Sequence, residues 1–116
     1  MTEQQLNPCT VQTTANGLQG RIVLVRDHRA GVYCGTLSST NVREKSAILS
    51  NARQVYYWTG AAATPGIAAR GVGQDSKIGP TVESVVLLDV VQLMPMTGEA
   101  WATIRDAEEW APGSDD

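Results

Sequence analysis

The sequence has no phenylalanine and one histidine, so it is poor in the residues from which catalytic and metal sites are usually built. No pair of Cys or His has the spacing of a zinc site. His28 lies in a charged turn, where a histidine is more often a solvated side chain than a general base. The stretch Gly71-x-Gly73 lacks the third glycine of a dinucleotide fingerprint, and no phosphate-loop motif is present. These absences favour a protein without catalytic activity, metal or cofactor.

Cysteine, long apolar runs and excess positive charge are also scarce. A disulfide between Cys9 and Cys34 would join a polar lead segment to a strand, so two reduced thiols are the better interpretation. Cys34 is expected to be buried and inert. No run approaches the roughly 18 apolar residues of a membrane span, and the N-terminus does not resemble a signal peptide. The net charge of −3 argues against a polymeric nucleic-acid partner. We therefore expect a soluble intracellular protein without membrane contact.

The length of 116 residues and the hydrophobic content of 42% suit one globular domain. Charge is uneven, since residues 99–116 hold one arginine and six acidic residues while the rest is mildly basic. This distribution predicts a mobile N-terminal arm over residues 1–20, one nucleotide-binding α+β domain over 21–105 and an acidic tail over 106–116. Seven of the nine basic residues are arginine, which suits phosphate binding but is also what a GC-rich genome produces.

Periodicity predicts an α+β fold, in which an antiparallel β-meander sheet carries one packed helix and a short C-terminal helix. The first four strands are joined by turns, with a tight corner at residues 50–52, and a helix follows with Pro65 in its first turn and Gly71 at its end. The loop after Gly71 extends to Pro80, one further strand follows, and Thr97 caps the last helix. The predicted strands are 21–26, 32–37, 42–49, 53–58 and 82–94, and the predicted helices are 60–71 and 98–106.

Three consecutive aromatic residues, Tyr56, Tyr57 and Trp58, run directly into the predicted helix start. Strand alternation puts Tyr56 and Trp58 on one face and Tyr57 on the other, so at least one ring should lie outside the core. An exposed ring can stack on a nucleobase, and a helix N-terminus can hold a phosphate. The alternative is that the aromatic residues fill a small core that lacks phenylalanine.

Several segments of the chain together resemble one family. They are Arg26, Ala30-Gly-Val-Tyr-Cys-Gly-Thr-Leu37, Ile48-Leu-Ser-Asn-Ala-Arg53, Tyr57-Trp-Thr-Gly-Ala-Ala62 and the apolar strand from Val85 to Leu93 with Pro95 and Thr97. Over residues 21–105 the chain is similar to the Thoeris anti-defence protein 1 family of phage sponge proteins. The resemblance implies a protein that binds cyclic ADP-ribose isomers made by bacterial TIR-domain enzymes and holds them without cleavage, in the cytoplasm of the infected host. It also implies a homodimer with pockets at subunit interfaces; some members form hexamers and hold cyclic trinucleotides, the signals of CBASS immunity, at separate sites.

The resemblance, together with the aromatic motif, gives twelve candidate ligand-binding residues. Tyr57 and Trp58 are candidates for stacking on adenine, and the segment Thr59, Gly60, Ala61 and Ala62 for phosphate contacts. The remaining candidates are polar residues that would contact phosphate or ribose, with Thr97 contributed by the partner subunit and Arg70 and Arg105 equally interpretable as surface residues. They are Arg26, Asn51, Arg53, Arg70, Thr97 and Arg105.

Two other functions fit the same sequence. One is a hydrolase that destroys the signal, and the other is a structural or protein-binding phage module that uses its aromatic residues at a protein interface. Recovery of the bound ligand intact after the protein is denatured would exclude the hydrolase. The absence of any shift in melting temperature with cyclic nucleotides would favour the structural or protein-binding module.

Overall fold

The computed structural model describes residues 8–110, with side chains from residue 11 onward. It has an α+β fold built from a five-stranded antiparallel sheet and three helices, as the sequence predicts. The Cys9 side chain, and the outer parts of the predicted arm and tail at residues 1–7 and 111–116, lie outside the described part of the chain. In chain order the elements are α1 (Pro8–Asn16), β1 (Ile22–Asp27), β2 (Gly31–Asn41), β3 (Ser46–Tyr57), α2 (Thr64–Arg70), β4 (Lys77–Leu87), β5 (Val90–Pro95) and α3 (Gly98–Arg105).

The sheet has the strand order β4-β3-β2-β1-β5. Strands β1 to β4 form an antiparallel meander, but the strands predicted over 42–49 and 53–58 are one strand, β3, and residues 42–45 form the turn before it. Strand β5 pairs with β1 at the opposite edge. Only Leu88 and Asp89 separate the two edge strands in the chain, so the sheet must curl until its edges approach each other there. The strand pairing shows this curl, because Leu87 at the end of β4 pairs with Ala47 of β3, whereas Val90 at the start of β5 pairs with Asp27 of β1.

Apolar side chains on the two sheet faces form two cores. The helix-side core lies between the sheet and helices α2 and α3, and includes Leu24, Cys34 and Ile67. The sheet-side core lies on the other face, where the curled sheet closes around Val25 and Leu49. Successive β1 residues therefore alternate between the cores, which is the pattern expected for a strand buried on both faces.

The predicted corner at residues 50–52 is wrong, because β3 runs through it as one strand. The β2 register shifts between Cys34 and Thr36 while the opposing β3 residues are Arg53 and Ser50, so β3 carries one extra residue. Asn51 takes the left-handed conformation, with φ 50°, that such a bulge requires. Opposite it, a Cβ on Gly35 would lie 2.9 Å from the Ala52 Cα, so glycine is needed for the strands to approach.

The predicted strand over 82–94 is in fact two strands, and Lys77 to Pro80, expected in a loop, begin β4. The break at Leu88–Asp89 is fixed by the buried Asp27 carboxylate. Its oxygens accept hydrogen bonds from the backbone N–H groups of Asp89 at 2.8 Å, Ala30 at 2.8 Å and Arg29 at 2.9 Å. Burial favours the neutral acid, but these bonds outweigh it and lower the pKa of Asp27.

The helix predicted from residue 60 begins only at Thr64, because the residues before it remain extended up to Ala63, which provides no side-chain cap. Pro65 in the first turn and Gly71 at the end, with φ 88°, are confirmed. Thr97 caps α3 as predicted, accepting a hydrogen bond from the Ala100 N–H at 3.0 Å.

Both ends of the predicted domain are longer than expected. The arm contains α1, whose Gln12 side chain donates to the Thr40 carbonyl at 2.9 Å and accepts from the Val42 N–H at 2.6 Å. At the other end the Trp110 N–H donates to the Ile78 carbonyl at 2.8 Å. The predicted arm and tail are thus bonded to the sheet through Gln12 and Trp110. No helix among residues 8–110 has the length and apolar character needed to cross a membrane.

Candidate functional site

Four side chains form an aromatic surface around the end of β3. Tyr56 and Tyr57 are 48% and 52% exposed. The Lys77 ammonium lies 5.9 Å from the Tyr57 ring centroid and 5.1 Å from that of Trp110. Trp110 meets Tyr56 edge-on, with ring centroids 5.2 Å apart. We call Tyr56, Tyr57, Lys77 and Trp110 the aromatic surface.

Local backbone features place these rings. The Tyr56 ring covers Gly79, where a Cβ would lie 2.9 Å from the ring. Trp110 is held by its backbone bond to Ile78 and by a parallel bridge between Ile78 and Glu109. The start of β4 and the segment after α3 therefore bring two chain regions, far apart in sequence, to the end of β3.

Trp58 packs against the helix-side core and is not part of the aromatic surface. Its ring is half-buried against the helix-side core, and its indole N–H donates to the Ala61 carbonyl at 3.0 Å. The Thr59 N–H is bonded to the Ser76 hydroxyl at 3.0 Å. Thr59, Gly60, Ala61 and Ala62 form a loop before α2, so the expected helix start at these residues is wrong, and their contact with a phosphate stays a prediction.

Arg53 is a structural residue, which corrects its assignment as a ligand contact. It is 5% exposed, and its Nε donates to the Gly79 carbonyl at 2.8 Å. Its Nη1 donates to the carbonyls of Ile104 at 2.8 Å and Ala107 at 2.7 Å, at the C-terminal end of α3. Burial lowers the pKa of Arg53, and the nearby Glu109 carboxylate opposes that effect.

The other polar candidates do not converge. Arg26 is exposed on β1, paired with Val32 and Gln92. Asn51 lies six residues from Tyr57 along β3, which is about 20 Å of strand. Arg105 is exposed, and its Nε and Nη2 donate to the two carboxylate oxygens of Asp106.

Arg70 and Thr97 lie together at the junction of α2 and α3, where the Thr97 hydroxyl donates to the Ala69 carbonyl at 3.1 Å. Arg70 is exposed and ends α2. Within one protomer the twelve candidates therefore occupy several separate places, and only Tyr57 belongs to the aromatic surface.

Sequence reasoning missed Lys77 and Trp110 and left Tyr56 out of the candidate set. Lys77 was expected in a loop, and Trp110 in a solvated acidic tail. An exposed indole at the end of such a tail has few partners in solution, so a tryptophan there was a signal for a packed segment. The alternation of Tyr56 and Tyr57 pointed correctly to a ring outside the core.

A wide cleft of about 760 Å³ adjoins the aromatic surface at Trp110. The loop after α2 forms one wall, and the end of α3 with Asp106, Glu108 and Glu109 forms the other. No group of residues in the described part of the chain could hold a metal ion. Cys34 is fully buried, as expected, and burial raises the pKa of its thiol.

The fold and this surface define a small α+β domain that presents two tyrosines, a tryptophan and a lysine to solvent. The chain belongs to the family described as "Domain of unknown function (DUF6948)", whose model matches residues 20–104. No curated protein matches the chain.

Proposed function

We propose that this protein binds a small cyclic nucleotide, a cyclic ADP-ribose isomer, and sequesters it without cleaving it. The observation that carries the proposal is the half-exposed Tyr57 ring, whose centroid lies 5.9 Å from the Lys77 ammonium. A flat apolar ring and a positive charge are complementary to a nucleobase and a phosphate. Stacking of a base on an aromatic side chain contributes about 1–3 kcal/mol.

A ligand of limited charge suits this surface better than a polymer. Lys77 is its one cation, whereas a nucleic-acid strand is bound by many phosphate contacts along a basic face. The acidic cleft next to Trp110 would repel a continuing phosphate backbone. These two features support a messenger-sized ligand.

Holding the ligand intact is supported by the chemistry of the surface. Its side chains are two phenols, an indole and an amine, and the chain's single histidine, His28, lies in the turn after β1. A sponge acts by mass action, so the amount of signal removed follows protein concentration and affinity. Its place of action would be the cytoplasm of the infected host cell, and cyclic trinucleotides are further candidate ligands.

The test separates a sponge from a hydrolase. Excess protein is incubated with cyclic ADP-ribose, the free ligand is removed by ultrafiltration, and the retained material is denatured and analysed by mass spectrometry. We expect a depleted filtrate and full recovery of intact ligand. Recovery of linear ADP-ribose would establish the hydrolase, and an undepleted filtrate would exclude sequestration of this ligand.

A matched pair of variants links the result to the surface. Tyr57→Leu removes the exposed ring, whereas Tyr57→Phe keeps the ring and removes only its hydroxyl. We expect the first to weaken retention about tenfold and the second to leave it unchanged. Trp58→Ala is a poorer test because that ring supports the core.

A protein-binding module is the second candidate, favoured by the apolar edge strand β4. Val86 and Leu88 are 55% and 72% exposed, beyond the part of β4 that residues 109–110 cover. An exposed apolar edge favours strand pairing with another chain. A second copy of this chain could cover the β4 edge, and we propose that the chain forms a homodimer there. Such a dimer is compatible with ligand binding at the aromatic surface.

A further inference from the structure

We propose that the groove between helix α1 and strand β5 binds a straight-chain aliphatic carboxylate, whose carboxylate pairs with Lys45. This second ligand site is separate from the aromatic surface and goes beyond the proposed function. The groove has a volume of about 340 Å³, which lies in the size range of small-molecule sites. Its walls are one face of α1, the turn between β2 and β3, and residues 90–93 of β5.

Apolar side chains form most of the groove surface. Val11 and Ala15 are four residues apart and share one face of α1, and Leu18 follows in the turn after the helix. Val90 and Leu93 of β5 line the opposite side. All five side chains are only half-buried, so their apolar surface is not fully covered by the fold. Burial of this surface favours a ligand with an apolar tail.

Lys45 supplies the one charge among the described residues that line the groove. Backbone hydrogen bonds fix its position, because its carbonyl accepts from the Val90 N–H at 2.9 Å and its own N–H donates to the Val42 carbonyl at 3.2 Å. The side chain is exposed, so its ammonium is accessible at the rim. A single ammonium beside an apolar groove is complementary to a single anionic group at the end of an apolar tail.

The backbone conformation of Lys45 is an independent argument for a role of its side chain. Its φ is 57°, which lies in the left-handed region. A turn position of this kind favours glycine or asparagine, because most side chains are disfavoured there. Lysine at this position therefore lowers the stability of the turn, and the turn itself does not require it. A role in binding accounts for a side chain that the fold disfavours.

The two ends of the groove differ, which orients the ligand. Val90 is bonded to Lys45 at one end, whereas Leu93 and Leu18 pack against the sheet-side core. The strand from Val90 to Leu93 spans about 10 Å. A fully extended chain advances ~1.1–1.2 Å per bond, so about eight or nine bonds cover this distance. Octanoate therefore fits the groove, with its carboxylate at Lys45 and its tail against the two leucines.

The test is a titration of the full chain with octanoate, followed by the NMR shifts of the backbone amides. We expect saturable shifts in residues 11–18 and 90–93. Affinity should fall about fourfold for each methylene removed, from octanoate to hexanoate, and should level off beyond octanoate because further carbons extend past the groove. Octylammonium has the same tail and the opposite charge, so it should bind at least fivefold more weakly.

Two variants test the charge and the shape of the groove. Lys45→Gly removes the ammonium and suits the left-handed turn, so it should melt at the same or a higher temperature and weaken octanoate binding at least threefold at low salt. Arg43→Met removes an exposed charge from the same turn and should leave binding unchanged. Ala15→Met fills the groove and should weaken binding at least tenfold, with the exposed Ala69→Met on α2 as the size-matched control.

Three results would overturn the proposal. The first is the absence of saturable octanoate binding, and the second is octanoate binding by Lys45→Gly or Ala15→Met that is as tight as in the natural chain. The third is saturation of the same amides by an apolar peptide and not by octanoate, which would assign the groove to an extended protein segment. Each readout is independent of cyclic ADP-ribose, so this site and the proposed function are tested separately.

Discussion

Arg53 shows how a residue that looks suited to phosphate can serve the fold instead. Its guanidinium joins β4 to the end of α3, because it donates to carbonyls of both. The Ile104 and Ala107 carbonyls lie at the C-terminal end of α3, where carbonyls have no partner within the helix. A planar fork of donors satisfies several at once, which a lysine ammonium cannot do with the same geometry.

Arg53→Met is therefore expected to lower the free energy of unfolding by about 3 kcal/mol, since it leaves several buried carbonyls without a donor. Arg53→Lys should lower it by a smaller amount. Urea unfolding followed by tryptophan fluorescence measures both, with the exposed Arg43→Met as the control. A variant with unchanged stability and lost ligand binding would return Arg53 to the candidate ligand contacts.

The buried Asp27 carboxylate predicts how the stability of the fold depends on pH. Its pKa is lowered in the folded protein, so its contribution to stability is complete above about pH 4 and is lost as the pH falls through the folded value. Asp27→Asn should cost about 2 kcal/mol at pH 7, because charge-assisted bonds to three backbone N–H groups are replaced. Between pH 5 and 2, thermal melts of this variant should fall less steeply than those of the natural chain.

The exposed Asp75→Asn is the control, and it should keep the natural pH profile. If Asp27→Asn and the natural chain lose stability in parallel below pH 4, the carboxylate does not hold the turn at Leu88–Asp89 as an anion.

At the scale of elements, the sequence was most informative where hydrophobic alternation was strong. The strands β1 and β2 and their alternating faces follow directly from residues such as Val32 and Cys34. The corner predicted at Ser50 to Ala52 failed because small polar residues are typical of turns and also of bulges within a strand. Only pairing with Gly35 on the neighbouring strand decides between the two.

The break between β4 and β5 could not be predicted for a related reason. Leu88 is apolar and Asp89 is the single turn-favouring residue in an apolar run, which is a weak signal. The hydrogen bond that fixes the break is accepted by Asp27, about sixty residues earlier. The candidate site followed the same rule. Tyr57 was predicted from a local motif, whereas Lys77 and Trp110 reach the site through contacts distant in sequence.

The first helix carries its own prediction. α1 is attached to the β2–β3 hairpin through Gln12, whose amide bonds Thr40 and Val42. Gln12→Ala should release the helix without unfolding the sheet, because the two cores do not include it. Hydrogen exchange should speed up at least tenfold over residues 8–16 and stay unchanged in β1, with the loop variant Gln74→Ala as the control. Equal protection of α1 in both variants would show that apolar contacts alone hold it.

At the scale of the whole molecule, the described chain is elongated, with extents of 54 × 27 × 23 Å, and β4 is an edge strand. From Pro80 to Leu87 the strand carries one charge, on Glu83. If two copies pair antiparallel about Ser84, Val82 of each lies opposite Val86 of the other. Glu83 then faces Val85, so the two carboxylates are not opposed. The edge is thus self-complementary both in shape and in charge.

Val86→Glu should abolish this pairing, because it places two carboxylates beside the apolar row of the joined edges. Light scattering at micromolar concentration should give the mass of two 12.4 kDa chains for the natural protein and of one for the variant. Val91→Glu on the other edge strand, β5, is the matched control, since Val91 is exposed to a similar degree. A dimer that survives Val86→Glu and dissociates with Val91→Glu would place the interface at β5. Because the aromatic surface lies at the other end of β4, the Val86→Glu monomer should still bind one nucleotide per chain, which makes ligand stoichiometry independent of assembly.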